Sequence, residues 1–86
     1  MVINMKINRQ FVLRQEHNFG LLANIKTGEI YKLNWTAYII LSEINNGNSL
    51  DFIKHKITNE YTIEKEKLDL IIIDFINYLK NKAIIR

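Results

Sequence analysis

The chain has 86 residues, 48% apolar and 24% charged, with a net charge of +3 from 12 Lys+Arg against 9 Asp+Glu. This is the balance of one ordinary globular domain, not of a disordered chain, with a modest core because a small chain hides a smaller share of its surface. The absence of cysteine excludes a disulfide framework and a thiolate metal site. It fits a cytoplasmic protein, as does a start (MVINMKINRQ) too polar for a signal peptide, and no apolar run approaches a membrane span.

Residues 1–8 read as a tail or an irregular leading strand, and residues 9–86 as the domain. Gln10 to Glu16 (QFVLRQE) alternates loosely and is rich in β-formers, which predicts a first strand. Gly20 to Ile25 and Glu29 to Leu33 predict two more. Lys26-Thr27-Gly28 joins them as a three-residue hairpin loop, with Gly28 where a positive φ is wanted. That loop pairs Ile25 with Glu29, Ala23 with Tyr31 and Leu21 with Leu33, and makes theirs the core face. Leu22, Asn24, Ile30 and Lys32 then form a second, half-exposed face.

Asn34 is a good N-cap for a helix from Trp35 to about Asn45, with Ala37, Ile40, Leu41 and Ile44 at helical spacing. Asn46-Gly47 ends it. Asn48 or Ser49 caps a second helix that turns Leu50, Ile53 and Ile57 inward. Tyr61-Thr62 breaks the pattern, and Thr62 caps a third helix running to about Lys82. Glu64 and Glu66 near its start and Lys80 and Lys82 near its end suit the helix dipole. Ala83-Ile84-Ile85 packs back on the core.

The third helix carries more apolar surface than one core stripe needs. Leu68, Ile72, Phe75, Ile76 and Leu79 share a face, whereas Ile73 falls about 100° from its centre and Leu70 nearly opposite. Either the helix is covered on two sides, a homodimer being one means, or part of it lines a groove. If the first strand pairs with the second, Glu29 to Leu33 is a free sheet edge. Such an edge accepts an extended peptide through its unpaired backbone groups, and the third helix supplies the other wall.

No residue pattern points to catalysis. His17 and His55 lie in no H-E-x-x-H context, so no metal is expected. Ser42 and Ser49 lie in no G-x-S-x-G context, and there is no glycine-rich phosphate loop. Glu29, Glu43, Asp51, Asp69 and Asp74 have no evident acid–base partner. No cofactor and no enzymatic activity are expected.

The chain resembles the PqqD-like family, the RiPP recognition elements. The resemblance rests on Phe11-Val12-Leu13-Arg14, Gly20-Leu21-Leu22 and Thr27-Gly28-Glu29-Ile30-Tyr31-Lys32-Leu33-Asn34. It continues through Thr36-Ala37-Tyr38-Ile39-Ile40-Leu41 to Gly47, Ser49-Leu50-Asp51-Phe52-Ile53 and Tyr61. It ends on Phe75, Ile76, Leu79 and Ala83-Ile84-Ile85. Most matched positions are core or turn positions, and their order and spacing carry the specificity. Two positions depart: Ile71 stands where the family usually has an acid, with Asp69 and Asp74 nearby, and Ala83 stands where it usually has glycine.

The resemblance implies an α+β, winged-helix-like fold of three antiparallel strands followed by three helices. It also implies a standalone, non-catalytic protein, as in lasso-peptide and related pathways. Such a protein binds the leader segment of a ribosomally made precursor peptide and presents it to a modifying enzyme or leader peptidase. The leader adds as a strand to the third strand, in the cleft with the third helix. Expected site residues are the backbone of Glu29, Ile30, Tyr31, Lys32 and Leu33, the helix wall Asp69, Ile72, Ile73 and Ile76, and Lys32 and Lys65 toward acidic leader residues. A winged-helix nucleic-acid-binding regulator is the alternative. Against it, nine of the 12 cations are lysines spread along the chain rather than a stripe, the hairpin precedes the helices, and Leu70 to Ile73 carries no cation.

Overall fold

The computed structural model describes residues 5–86, so the first half of the expected N-terminal tail lies outside the described residues. The elements are β1 Phe11–Gln15, β2 Gly20–Asn24, β3 Ile30–Leu33, α1 Trp35–Asn45, α2 Leu50–Glu60 and α3 Lys65–Asn81. The strands form one antiparallel sheet in the order β1-β2-β3. The helices follow and cover one sheet face. This is the expected α+β architecture of three strands followed by three helices.

Local chemistry sets the helix starts. Asn34 Oδ1 accepts from the Ala37 N–H at 2.8 Å, and Ser49 Oγ accepts from the Phe52 N–H at 3.2 Å. Each side chain satisfies an amide that the first helical turn leaves without a partner. Thr62, the expected cap of the third helix, is not its cap: α3 starts after Glu64, whose side chain makes no capping bond. The reason lies in Ile63, which packs against the core. The backbone is extended at Tyr61 and at Glu64, either side of this anchor, and the helix begins only after it.

At its other end, α3 closes with Ala83 in the left-handed region at φ 56°. The Ile84 N–H bonds to the Leu79 carbonyl at 2.8 Å and the Ala83 N–H to the Lys80 carbonyl at 3.0 Å. This is a Schellman closure, in which glycine is the usual residue at the left-handed position. Ile84 and Ile85 then bury themselves as expected. The chain ends meet here: Lys6 and Arg86 exchange backbone hydrogen bonds at 2.9 and 3.1 Å, and Ile7 bridges Ile85.

The β2–β3 register differs from the expected one by a single residue. Gly20 faces Leu33, Leu22 faces Tyr31 and Ala23 faces Ile30. The loop holds four residues, Ile25 to Gly28, between Asn24 and Glu29, whose N–H and carbonyl bond at 2.8 Å. Two side chains knit it: Asn24 Oδ1 accepts from the Lys26 N–H, and Thr27 Oγ1 accepts from the Glu29 N–H. Gly28 supplies the positive φ of 82°.

A one-residue slip exchanges every side chain between faces. Leu22, expected on the half-exposed side, is 0% exposed, and Asn24 is buried beside it. Leu21 and Ala23 turn outward instead. Gly20 enforces this parity, because it points inward against Tyr38, where an added Cβ would lie 2.6 Å from a ring carbon. On β3 the expected faces hold: Leu33 is buried, Tyr31 half-buried, and Ile30 and Lys32 exposed.

The core joins Phe11, Leu22 and Leu33 of the sheet to Ile40, Leu41 and Ile44 of α1, Ile53 and Ile57 of α2, and Leu68, Ile72, Ile76 and Leu79 of α3. Each such side chain contributes about 1.5–3 kcal/mol on burial.

Candidate functional site

The strand order leaves the outer edge of β3 unpaired among the described residues. Which backbone groups face outward follows from the ladder. The Asn24 N–H donates to the Glu29 carbonyl, which marks a hydrogen-bonded pair. Such pairs alternate along an antiparallel ladder. Leu22–Tyr31 and Gly20–Leu33 therefore also exchange bonds, and the N–H and C=O groups of Ile30 and Lys32 point away from β2. They form an open edge two residues apart.

The neighbouring wall comes from α3. Its core face is Leu68, Ile72, Phe75, Ile76 and Leu79, and at 100° per residue Lys67, Ile71, Asp74 and Tyr78 fall together on one flank. That flank faces the start of α1. Ile71, Phe75 and Lys67 join Asn34, Ala37, Ile40 and the α2–α3 connection around a cavity of about 830 Å³. The cavity opens where β3 ends, since Asn34 directly follows the strand. The Phe75 and Tyr78 rings stack with centroids 6.3 Å apart. Tyr31 reaches toward them from β3. Its phenol pKa is raised above the ordinary value by partial burial first, then by the Glu29 carboxylate and a hydrogen bond with it, and last by Tyr78.

The expected site residues divide. Ile30 to Leu33 form the edge strand and Glu29 leads into it. Lys32 lies on the outer sheet face, its ammonium 4.5 Å from the centre of the Phe19 ring. On α3, Ile72 is 1% exposed and Ile76 9% exposed, so both belong to the core. Asp69 lies on the flank facing α2 and pairs with Lys54 at 2.8 Å. Lys65 borders a shallow hollow with Asp51 and Lys54 on that same side. Ile73 is exposed beyond Asp69, away from β3. The cavity wall on α3 therefore comes from Lys67, Ile71 and Phe75, none of which is among the expected site residues. One signal did mark it. Ile71 is the position at which the resembled family carries an acid.

The remaining acids have structural partners or none. Glu43 is buried, takes hydrogen bonds from Asn48 Nδ2 at 2.7 Å and Asn46 Nδ2 at 3.5 Å, and pairs with Lys56 Nζ at 3.4 Å. It ties the end of α1 to α2. Among the described residues no three metal-ligating side chains converge, and no helix is long and apolar enough to cross a membrane.

Solved structures share this fold. "TbiB1 in Complex with the TbiA(beta) Leader Peptide" aligns with a TM-score of 0.82 and 23% identity over 94% of each chain. "Lasso peptide synthetase B1 complexed with the leader peptide" aligns with a TM-score of 0.83 and 22% identity over 95% of this chain and 96% of that one. Among curated proteins no match is found. The family described as coenzyme PQQ synthesis protein D (PqqD) matches residues 20–85, from the first residue of β2 to the buried C-terminal isoleucines. That span is most of the sequence, and the chain belongs to the PqqD family.

Proposed function

We propose that this protein is a non-catalytic adaptor that binds the leader segment of a ribosomally made precursor peptide. The leader adds as a fourth strand to β3 and is held there for a modifying enzyme or leader peptidase in the cytoplasm. The observation that carries this reading is the open edge at Ile30 and Lys32, on the strand that ends at a groove lined by Ala37, Ile40, Ile71 and Phe75. Backbone pairing supplies affinity for any extended chain, and the groove supplies discrimination between side chains. Family membership supports it, as do the two leader-peptide complexes that share the fold. The nucleic-acid reading finds no comparable support, because the exposed flank of α3 beside the edge carries one cation, Lys67, offset by the acid Asp74 on the same flank.

The test is fluorescence polarisation with labelled synthetic leader peptides of lasso-type precursors, with a random DNA duplex as control. Saturable peptide binding near ~1 μM, about −8 kcal/mol, without duplex binding is the expected result. Duplex binding that falls steeply with salt, with no peptide bound, overturns the adaptor role. Sedimentation at several concentrations separates a monomer with an open groove from a homodimer that covers the surplus isoleucines.

A further inference from the structure

The outer face of the sheet, the one turned away from the helices, is unusually apolar for a face on which no element of the described residues packs. Antiparallel sheets of this kind normally alternate apolar-in and polar-out. Here Val12, Ala23 and Ile30 stand side by side in one row across the three strands, and Arg14, Leu21 and Lys32 in the next. Val12 is 51% and Ile30 67% exposed. Ile30 has only the small Ala23 as its neighbour on β2, so most of its side chain is open toward the free edge.

Lys32 is also paired with no carboxylate among the described residues. Among the described residues its one recorded partner is the Phe19 ring. Glu16, the acid just after β1, is held by Arg14 through Nε at 2.9 Å and through Nη2. Glu29 lies on the inner side, where its carboxylate accepts a hydrogen bond from Thr27 Oγ1 at 3.3 Å.

We propose that Ile30 and Lys32 read the outward-facing side chains of the peptide strand, selecting an apolar residue and an acidic residue two positions apart. The proposal rests on the reading that an extended peptide pairs with β3. Given that pairing, the peptide residues opposite Ile30 and Lys32 must point to the outer face, and the one between them into the groove. Directly opposed residues on one face interact, with apolar and opposite-charge pairs favoured and like charges disfavoured. An antiparallel peptide therefore reads acid–x–apolar from N to C, and a parallel one apolar–x–acid. The residue x meets Tyr31 and the groove. Specificity is then split between two faces, with the groove choosing x and the outer sheet choosing its neighbours.

The experiment is selection of a displayed library of random short peptides on the wild-type protein and on Lys32→Glu, an exposed substitution. Enriched peptides are then synthesised and titrated by polarisation against both proteins and Lys32→Met. The expected result is an acid two positions from an apolar residue on the wild type, and Lys or Arg in place of that acid on Lys32→Glu. A wild-type-selected peptide loses about fivefold in affinity on Lys32→Glu and regains it when its acid becomes lysine. Enriched peptides that are indifferent to all three side chains at position 32, yet are lost on Ile30→Pro, overturn this proposal and leave strand addition standing. Enrichment of no peptide, or peptides that still bind a folded Ile30→Pro, overturns both.

Discussion

Ile71 and Ile73 sit two residues apart on α3, with exposures of 40% and 52%, and they face different neighbours. Ile71 borders the cavity at the end of β3, between Lys67 and Phe75. Ile73 lies beyond Asp69, on the flank that Asp69 ties to α2 through Lys54. Between them Ile72 is fully buried. Three consecutive isoleucines thus take three roles, as groove wall, core and outer surface. The chemistry of each side chain is identical, so the role is set by the neighbour that the helix turn presents it to. A surplus of apolar residues on a helix signals a binding wall only where a partnerless edge lies beside it.

Substitution breaks this comparison most severely at its centre. Ile72→Asp places a carboxylate among apolar side chains, and a destabilisation of at least about 4 kcal/mol is expected. That is much of the stability of a small domain, so loss of the cooperative thermal transition is the result to look for. Ile30→Pro comes next. It removes the outward N–H and puts a ring at the edge, where a strand tolerates proline. Circular dichroism should stay near wild type while affinity for a leader peptide drops by more than about tenfold, from one or two lost hydrogen bonds at about 0.5–1.5 kcal/mol each plus the clash. Unchanged affinity places the peptide elsewhere.

The comparison sharpens with the same change made on both flanks. Ile71→Asp should weaken peptide binding about tenfold, because about 1.4 kcal/mol of apolar contact is lost. Ile73→Asp should leave it within about twofold, with both variants folded. Equal losses would mean that the peptide wraps α3, and a loss for Ile73→Asp alone would return the wall to the α2 side. Ala83→Gly touches neither flank. It relieves a left-handed alanine, and chemical denaturation should show a gain of about 1 kcal/mol with peptide affinity unchanged. Smallest of all, Asp69→Asn removes a half-exposed ion pair and should cost under about 1 kcal/mol, less still in high salt.

Much of this fold is legible in the residues. Asn34 and Ser49 announce helix starts through the one acceptor each offers, and both make the bond. Gly28 marks the hairpin, and the run from Leu68 to Leu79 marks the core face of α3. The free edge at β3 follows from three strands joined in order. The groove was less legible. Phe75 reads as a core aromatic, and only the approach of α3 to the start of α1 makes it, with Lys67 and Ile71, a wall. Asp69 and Lys65 have the right chemistry for a peptide contact but are turned toward α2.

By itself, then, the sequence determined the elements, their order and the strand left at the edge. These depend on local periodicity, caps and connection lengths, which are properties of neighbours in the chain. The tertiary structure decided which side of each element is inside. Leu21 and Leu22 are interchangeable by hydropathy, and their faces were assigned by a four-residue loop knitted by Asn24 and Thr27 and by the close approach of Tyr38 to Gly20. Ile71 and Ile73 are interchangeable likewise, and the packing of α3 between α2 and the start of α1 separated them. A period tells how many faces an element has and which residues share one. Only contact with another element, which excludes water from one face and not the other, tells which face is which.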